Sequence, residues 1–528
     1  DGQVGVTLSA PGASVSAGNV LRWPVRLAGR GTREVRWRLT MTDPSPVVIA
    51  PPPGSVAGVR AVSDDPRVPM LIAQSLADAN ALRMTVPQAR DDVFLAAGAP
   101  WYFTLFGRDS IWAARLLLPF GWQLAAGTLR TLAAFQGQRL DPATSEEPGK
   151  IPHELRRGGS LYYGTIDATP LWVCLLHDAW RWGMPEPQVR ALLPSLRAAL
   201  EWMSGYGDGD GDGLLEYIDE SGHGLFNQGW KDSPDAIRFA DGRIASPPIA
   251  PCEVQGYAHE AAQHGADLLA AFGEPGAQRW REWAGRLAEA FHQSFWVAAG
   301  SYPALALDRD KQRVDSLTSN IGHLLGTGLL TRAQEDTVAA QLAGRDMNSG
   351  FGLRTMSARH DGYNPLSYHC GSVWSHDTAI VIRGLFRSGH DHVAAALTDG
   401  LLTAAAAFGW RLPELFSGAG GASWPTPYPA SCRPQAWSAA VAGALTQALL
   451  GLDADVPGGT VTVQPPGVPM GGAGPRLHVD GLVAGGETFS AGIDQSGRGY
   501  LRGCTLNRVP SWPAPAGLNH TQSAKLRR

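Results

Sequence analysis

The amino-acid sequence predicts a mainly α protein: an (α/α)6 barrel with a partial N-terminal β domain and a small C-terminal β segment. Three observations lead there. About a dozen stretches between residues 69 and 450 repeat apolar residues every three or four positions, the period of a helix with one buried face. Long connections rich in Gly, Pro and aromatic residues separate alternate pairs of them, and loops of that length are usually functional. No period of about 30 to 50 residues recurs, which favours a closed ring of helical pairs over an open solenoid.

Residues 1–60 read as a partial β-sandwich or strand region. Segments 4–8 and 34–40 alternate apolar and polar residues, 21–27 does so more loosely, and Gly- and Pro-containing turns separate them. Three strands cannot close a sandwich alone. The run Pro51-Pro52-Pro53-Gly54 then reads as a linker. The barrel is expected over 61–455, with helices at 69–84, 109–118, 128–138, 168–182, 186–204, 253–272, 276–295, 315–327, 332–342, 373–387, 390–408 and 434–450. From 456 to 528 the pattern returns to β, with strands expected at 460–463, 476–479 and 488–491, and a polar tail from Asn507.

Composition narrows the function classes. A net charge of −4 provides no field to gather nucleic acid or anionic lipid. No apolar run approaches the ~20 residues of a membrane-crossing helix. Five scattered cysteines argue against a disulfide framework and a zinc site, and fit a reducing, cytoplasmic setting. The unusual count is 18 tryptophans, against 11 tyrosines and 15 phenylalanines. Several sit beside Gly, Pro or charged residues, where an indole can act as a platform for sugar.

The chemistry is organised around Asn227-Gln228-Gly229-Trp230-Lys231-Asp232-Ser233-Pro234-Asp235. Gly229 and Pro234 set up a loop rather than a helix interior, and it holds Asp232 two residues from Trp230. Glycoside hydrolysis needs two carboxyl groups on opposite sides of the sugar, one to donate a proton and one to act as base or nucleophile. The partner carboxylate is Glu414, in Leu412-Pro413-Glu414-Leu415. Taken alone, either acid reads as a cap or a solvated charge, and only the surrounding pattern raises them above that. Arg108 and Asp109, in Phe106-Gly107-Arg108-Asp109-Ser110, suit vicinal sugar hydroxyls, although Asp109 or Ser110 could equally cap the next helix. Asp167 ranks below them as an obvious N-cap. Trp230, His369 and Trp374 complete the expected sugar site. Asp208, Asp210, Asp212 and Glu216 present acidic oxygens on a glycine-rich loop suited to calcium, with a solvated acidic turn as the plain alternative.

Together these fragments resemble the catalytic domain of bacterial amylo-α-1,6-glucosidases and the glucosidase domain of glycogen debranching enzymes, and more distantly α-glucosidase I and the mannosylglycerate hydrolases. The likeness also runs through Asp315-Ser316-Leu317-Thr318-Ser319-Asn320, Tyr368-His369, Gly371-Ser372-Val373-Trp374 and Pro434-Gln435-Ala436-Trp437, and spans about 70 to 505. It implies an inverting glycosidase on an (α/α)6 barrel, with Asp232 as general acid and Glu414 as general base. It also implies a structural calcium ion in a loop like that at 208–216, and no cofactor for the chemistry. Two departures stand out: the chain begins within the last strands of the usual β-sandwich, and Ser375 stands where proline is common.

The expected activity is exo-acting hydrolysis of an α-glucosidic bond, α-1,6 or another α-linkage, in a small oligosaccharide or disaccharide. The alternatives are a hydrolase of a glycosylglycerate or other α-glycoside, a phosphorylase on a similar barrel, and a non-catalytic sugar-binding protein. A helical scaffold for protein partners would need no such carboxylate pair.

Overall fold

The computed structural model describes residues 4–17, 20–297, 301–421, 423–467 and 476–506; the expected tail from Asn507 lies outside them. Twelve α-helices are described. They are α1 (Arg67–Ala81), α2 (Gly107–Leu116), α3 (Gln123–Ala134), α4 (Ala168–Arg181), α5 (Glu186–Ser204) and α6 (Cys252–Ala271). After them come α7 (Ala277–Ser294), α8 (Arg332–Leu342), α9 (Ser375–Arg387), α10 (Asp391–Ala407), α11 (Ala436–Ala439) and α12 (Val441–Leu450). A 3-10 segment, Ser319–Leu324, stands where a full helix was expected over 315–327. Its neighbours hold it short. The Leu317 amide donates to His360 Nε2 and the Ser319 amide to the Thr355 carbonyl, so the backbone before it is committed elsewhere.

Packing alternates along the chain. α2 touches α4, α4 touches α6, α6 touches the 3-10 segment, that segment touches α9, α9 touches α12, and α11 and α12 return to α2. The contacts therefore close into a ring. α3, α5, α7, α8 and α10 lie against members of this ring, and α1 packs on α10, α11 and α12. Burial follows the arrangement. All ten residues of α2 are buried, polar ones included, whereas α7 buries only Trp280, Trp283, Ala284, Leu287 and Phe291 on one stripe. A helix buried all round belongs inside the ring, and an amphipathic one outside it.

The β elements are small. Near the N-terminus Gly5–Ser9 pairs antiparallel with Arg38–Thr42, and Ser14–Ser16 with Val20–Arg22. The expected strands at 21–27 and 34–40 are thus displaced: only Val20–Arg22 and Arg38–Thr42 form. At the other end Leu477–Ala484, Glu487–Ile493 and Gly499–Arg502 form a sheet whose fourth strand is Arg60–Ser63, just before α1. No helix among the described residues is long and apolar enough to cross a membrane.

Candidate active site

The loops that precede the ring helices converge at one end. Arg108 and Asp109 lie in the first turn of α2, and the loop with Trp230 and Asp232 comes ahead of α6. Tyr368, His369 and Trp374 lead into α9, and Trp437 opens α11. Glu414 arrives by backbone pairing, because Val373–Trp374 and Leu415–Phe416 form a two-stranded ladder that sets Trp374 opposite Leu415. Gly107 is required where it stands, since a side chain there would run into the Pro152 carbonyl.

All seven residues expected for catalysis and sugar binding line one cavity of about 340 Å³: Arg108, Asp109, Trp230, Asp232, His369, Trp374 and Glu414. Asp232 is half-buried, and its Oδ2 accepts a hydrogen bond from Arg108 Nη2 at 2.7 Å. Arg108 is almost fully buried and also donates from Nη1 to Asp167 Oδ1 at 3.3 Å. Asp167 is therefore the second anchor of Arg108, rather than the side-chain cap its position at the start of α4 predicts. Burial raises the Asp232 carboxyl above its usual range; Arg108 opposes this and Asp167 adds to it.

Glu414 sits in a tighter setting. Its Oε1 accepts the Tyr368 hydroxyl at 2.5 Å and its Oε2 accepts the Cys432 backbone amide at 2.9 Å. Burial pushes its carboxyl up to about 7, and these two hydrogen bonds keep the rise in check. The Pro413 carbonyl, one residue earlier, accepts hydroxyls from Ser375 at 3.3 Å and Ser438 at 2.9 Å. The serine that departs from the usual pattern at 375 thus steadies the peptide that carries Glu414. Burial also lifts Asp109 to about 8, against Arg108 and with help from Asp232 and Glu414, so it enters the site as a protonated donor at neutral pH.

The walls are aromatic. Trp230, Trp374, Trp437 and Leu415 form a buried cluster with Tyr368 and Tyr428 packed on it. The Trp374 indole N–H donates to the Tyr368 carbonyl at 2.7 Å, so its role is to brace that loop. Trp230 keeps its indole N–H without a partner among the described residues. His369 is informative about its tautomer. Its Nδ1 accepts the Ser233 amide at 3.3 Å, which leaves the proton on Nε2, a buried donor with no other partner among the described residues. Burial holds that ring neutral. Lys231, by contrast, turns away and donates to the Thr355 carbonyl at 2.6 Å.

Sequence reasoning assigned no role to Tyr368, Tyr102 or Trp437, all of which line the cavity. Tyr368 was one step from the His369 signal, but a hydroxyl that meets a carboxylate 46 residues away leaves no local mark. Asp208, Asp210, Asp212 and Glu216 do not line this cavity. Ligand oxygens of Asp208, Asp210 and Asp212 cluster within 4.8 Å of one another, but the Lys311 ammonium also reaches Asp210, Asp212 and Glu216. As arranged, an ammonium group holds two of the three clustered carboxylates, Asp210 and Asp212, which a divalent ion there would need.

The family model described as amylo-alpha-1,6-glucosidase matches residues 78–443, a span that holds both carboxylates. The chain belongs to that family. Solved structures carry the same fold at low identity. The GH63 mannosylglycerate hydrolase from Thermus thermophilus in complex with glucose is 18% identical, with a TM-score of 0.55 over 71% of this chain and 100% of that one. The GH78 family rhamnosidase of Bacillus sp. GL1 is 15% identical, with a TM-score of 0.59 over 88% of this chain and 42% of that one. A sialidase is 10% identical, with a TM-score of 0.63 over 84% of this chain and 40% of that one. No curated protein matches the chain. Membership of the amylo-alpha-1,6-glucosidase family places the chain among the glycosidases.

Proposed function

We propose that the protein is an inverting, exo-acting α-glucosidase that cleaves an α-1,6 or other α-glucosidic bond, built on an (α/α)6 barrel. The ring closed by α2, α4, α6, the 3-10 segment, α9 and α11–α12 supports the barrel reading. The observation that carries the activity is the pair of carboxylates, Asp232 and Glu414, on the walls of one sugar-sized cavity. Glu414, ionised, takes a proton from water as its oxygen attacks the anomeric carbon. Asp232 gives its proton to the departing glycosidic oxygen, and the C–O bond breaks in the same displacement. The neutral His369, with its free Nε2–H, and the protonated Asp109 hold hydroxyls of the non-reducing sugar. Arg108 holds Asp232 in place.

A second reading, hydrolysis of a glycosylglycerate, draws on the mannosylglycerate hydrolase, whose structure is also known with D-glycerate. Against it, the lining of this cavity contains a single Arg or Lys, Arg108, already shared by Asp167 and Asp232. A carboxylate aglycone would therefore find no free cation among the lining residues. Assay of the wild type, Asp232→Asn and Glu414→Gln on an α-linked glucose disaccharide and on α-glucosylglycerate tests both readings. Near-normal turnover in both variants removes the proposed mechanism, and exclusive turnover of the glycerate favours the second reading.

A further inference from the structure

The loop at 208–216 carries four carboxylates but is closed by an amine. Lys311 Nζ lies 2.6 Å from Asp210 Oδ2, 2.7 Å from Asp212 Oδ2 and 3.1 Å from Glu216 Oε2. Calcium is bound by oxygens at about 2.3–2.6 Å, with about 6–8 of them around the ion. An ammonium group on three of the four carboxylates opposes that arrangement by charge and by space. The fourth acid, Asp208, instead accepts the Gly213 amide through Oδ2 at 3.0 Å, while its Oδ1 has no partner among the described residues.

A second observation comes from the other side of the contact. Lys311 has φ +53, the left-handed region that a residue with a Cβ adopts only where its surroundings enforce it. The turn around it does so. The Lys311 amide donates to the Asp308 carbonyl at 2.8 Å, and Asp308 Oδ1 accepts the amides of Asp310 at 3.0 Å and Gln312 at 2.9 Å. This turn joins Ala306–Leu307 to Arg313–Val314, strands of a sheet completed by Ala250–Pro251 just ahead of α6.

We propose that the Lys311 ammonium is the resident cation of the 208–216 loop, fastening it to the 306–314 hairpin in the place a divalent ion would otherwise take. The clamp extends toward the active site. Tyr217, next to Glu216, exchanges backbone hydrogen bonds with Ile249 and donates its hydroxyl to Asn227 at 2.7 Å. Asn227 in turn donates to the Ser233 carbonyl at 2.7 Å, so the loop holding Asp232 is stitched to the clamped one.

The test uses the full chain and calcium alone as probe. Thermal unfolding of the wild type is expected to be the same in EDTA and in excess CaCl2, with no heat of calcium binding by calorimetry. Lys311→Met is expected to unfold at lower temperature, to bind one calcium ion, and to regain thermal stability when calcium is added. Recovery of the variant only in the presence of calcium would support the clamp equally. A wild type that unfolds earlier in EDTA, or binds calcium as tightly as the variant, overturns the proposal. So does a variant that neither loses stability nor gains calcium affinity. The wild-type arm decides by itself if Lys311→Met cannot be recovered at all.

Discussion

The Tyr368 hydroxyl donates to Glu414 Oε1 at 2.5 Å while the Cys432 amide donates to Oε2, so both oxygens of this carboxylate are held by donors. A buried acid in this position is a usable base only because these donors favour its ionised form. The hydroxyl itself is driven well above its ordinary range by burial and by Glu414, and so never gives up its proton to solvent in the working pH range.

Glu414 at about 7 sets the acid limb of the rate profile. With α-glucosyl fluoride, whose leaving group needs no proton, kcat/KM is expected to rise with pH through 7, falling about tenfold for each pH unit below it. Tyr368→Phe removes a favoured donor to the ionised form. The limb is then expected to move to higher pH, with about a tenfold lower rate at pH 7. An unshifted limb would separate Tyr368 from the base.

The two carboxylates should be distinguishable by leaving group. Asp232→Asn is expected to lose about 10²–10⁴-fold on an α-linked disaccharide and far less on the fluoride, because only the disaccharide needs a proton donor. Glu414→Gln is expected to lose a comparable factor on both substrates. Steady-state kinetics on the pair of substrates reads this directly.

Arg108 is a structural as well as an electrostatic group. Arg108→Met leaves Asp167, itself fully buried, and the half-buried Asp232 without their cation. Breaking a buried pair in this way costs about 3–5 kcal/mol, which urea denaturation at pH 7 will register. A loss below about 1 kcal/mol, the scale of an exposed pair, would mean that solvent screens the site.

Asp109 links stability to pH. Its ordinary value of 3.8 is raised to about 8, so between these limits the folded protein binds the proton and the unfolded chain does not. Stability from this group is therefore present at low pH and declines as pH rises through that window. Asp109→Asn, a permanently neutral mimic, is expected to flatten the decline between pH 5 and 8. Denaturation midpoints across that range check it.

How much of this was legible in the sequence depended on whether the signal was local. Helix α8 matches its expected bounds because Thr331 and Gln334 form a reciprocal cap at its start. Helix α5 does so between Pro185 and Gly205. The stretch at 315–327 failed because Leu317, Ile321, Leu324 and Leu325 keep helical spacing while long-range bonds to His360 and Thr355 hold the backbone. Helix α3 starts at Gln123 rather than 128, with Gly127 in mid-helix where a side chain would meet the Val93 backbone. At the site, residues in quotable loop motifs were legible. Pairings between loops far apart in the chain, such as Tyr368 with Glu414 or Lys311 with Asp210, were not, because nothing local encodes them.

The most direct test of the two-carboxylate displacement is the anomer released first, followed by proton NMR within the first minutes of hydrolysis of an α-glucosyl substrate. Inversion across the cavity between Asp232 and Glu414 predicts β-glucose as the initial product, drifting to the α anomer only by mutarotation. α-Glucose appearing first would contradict the account.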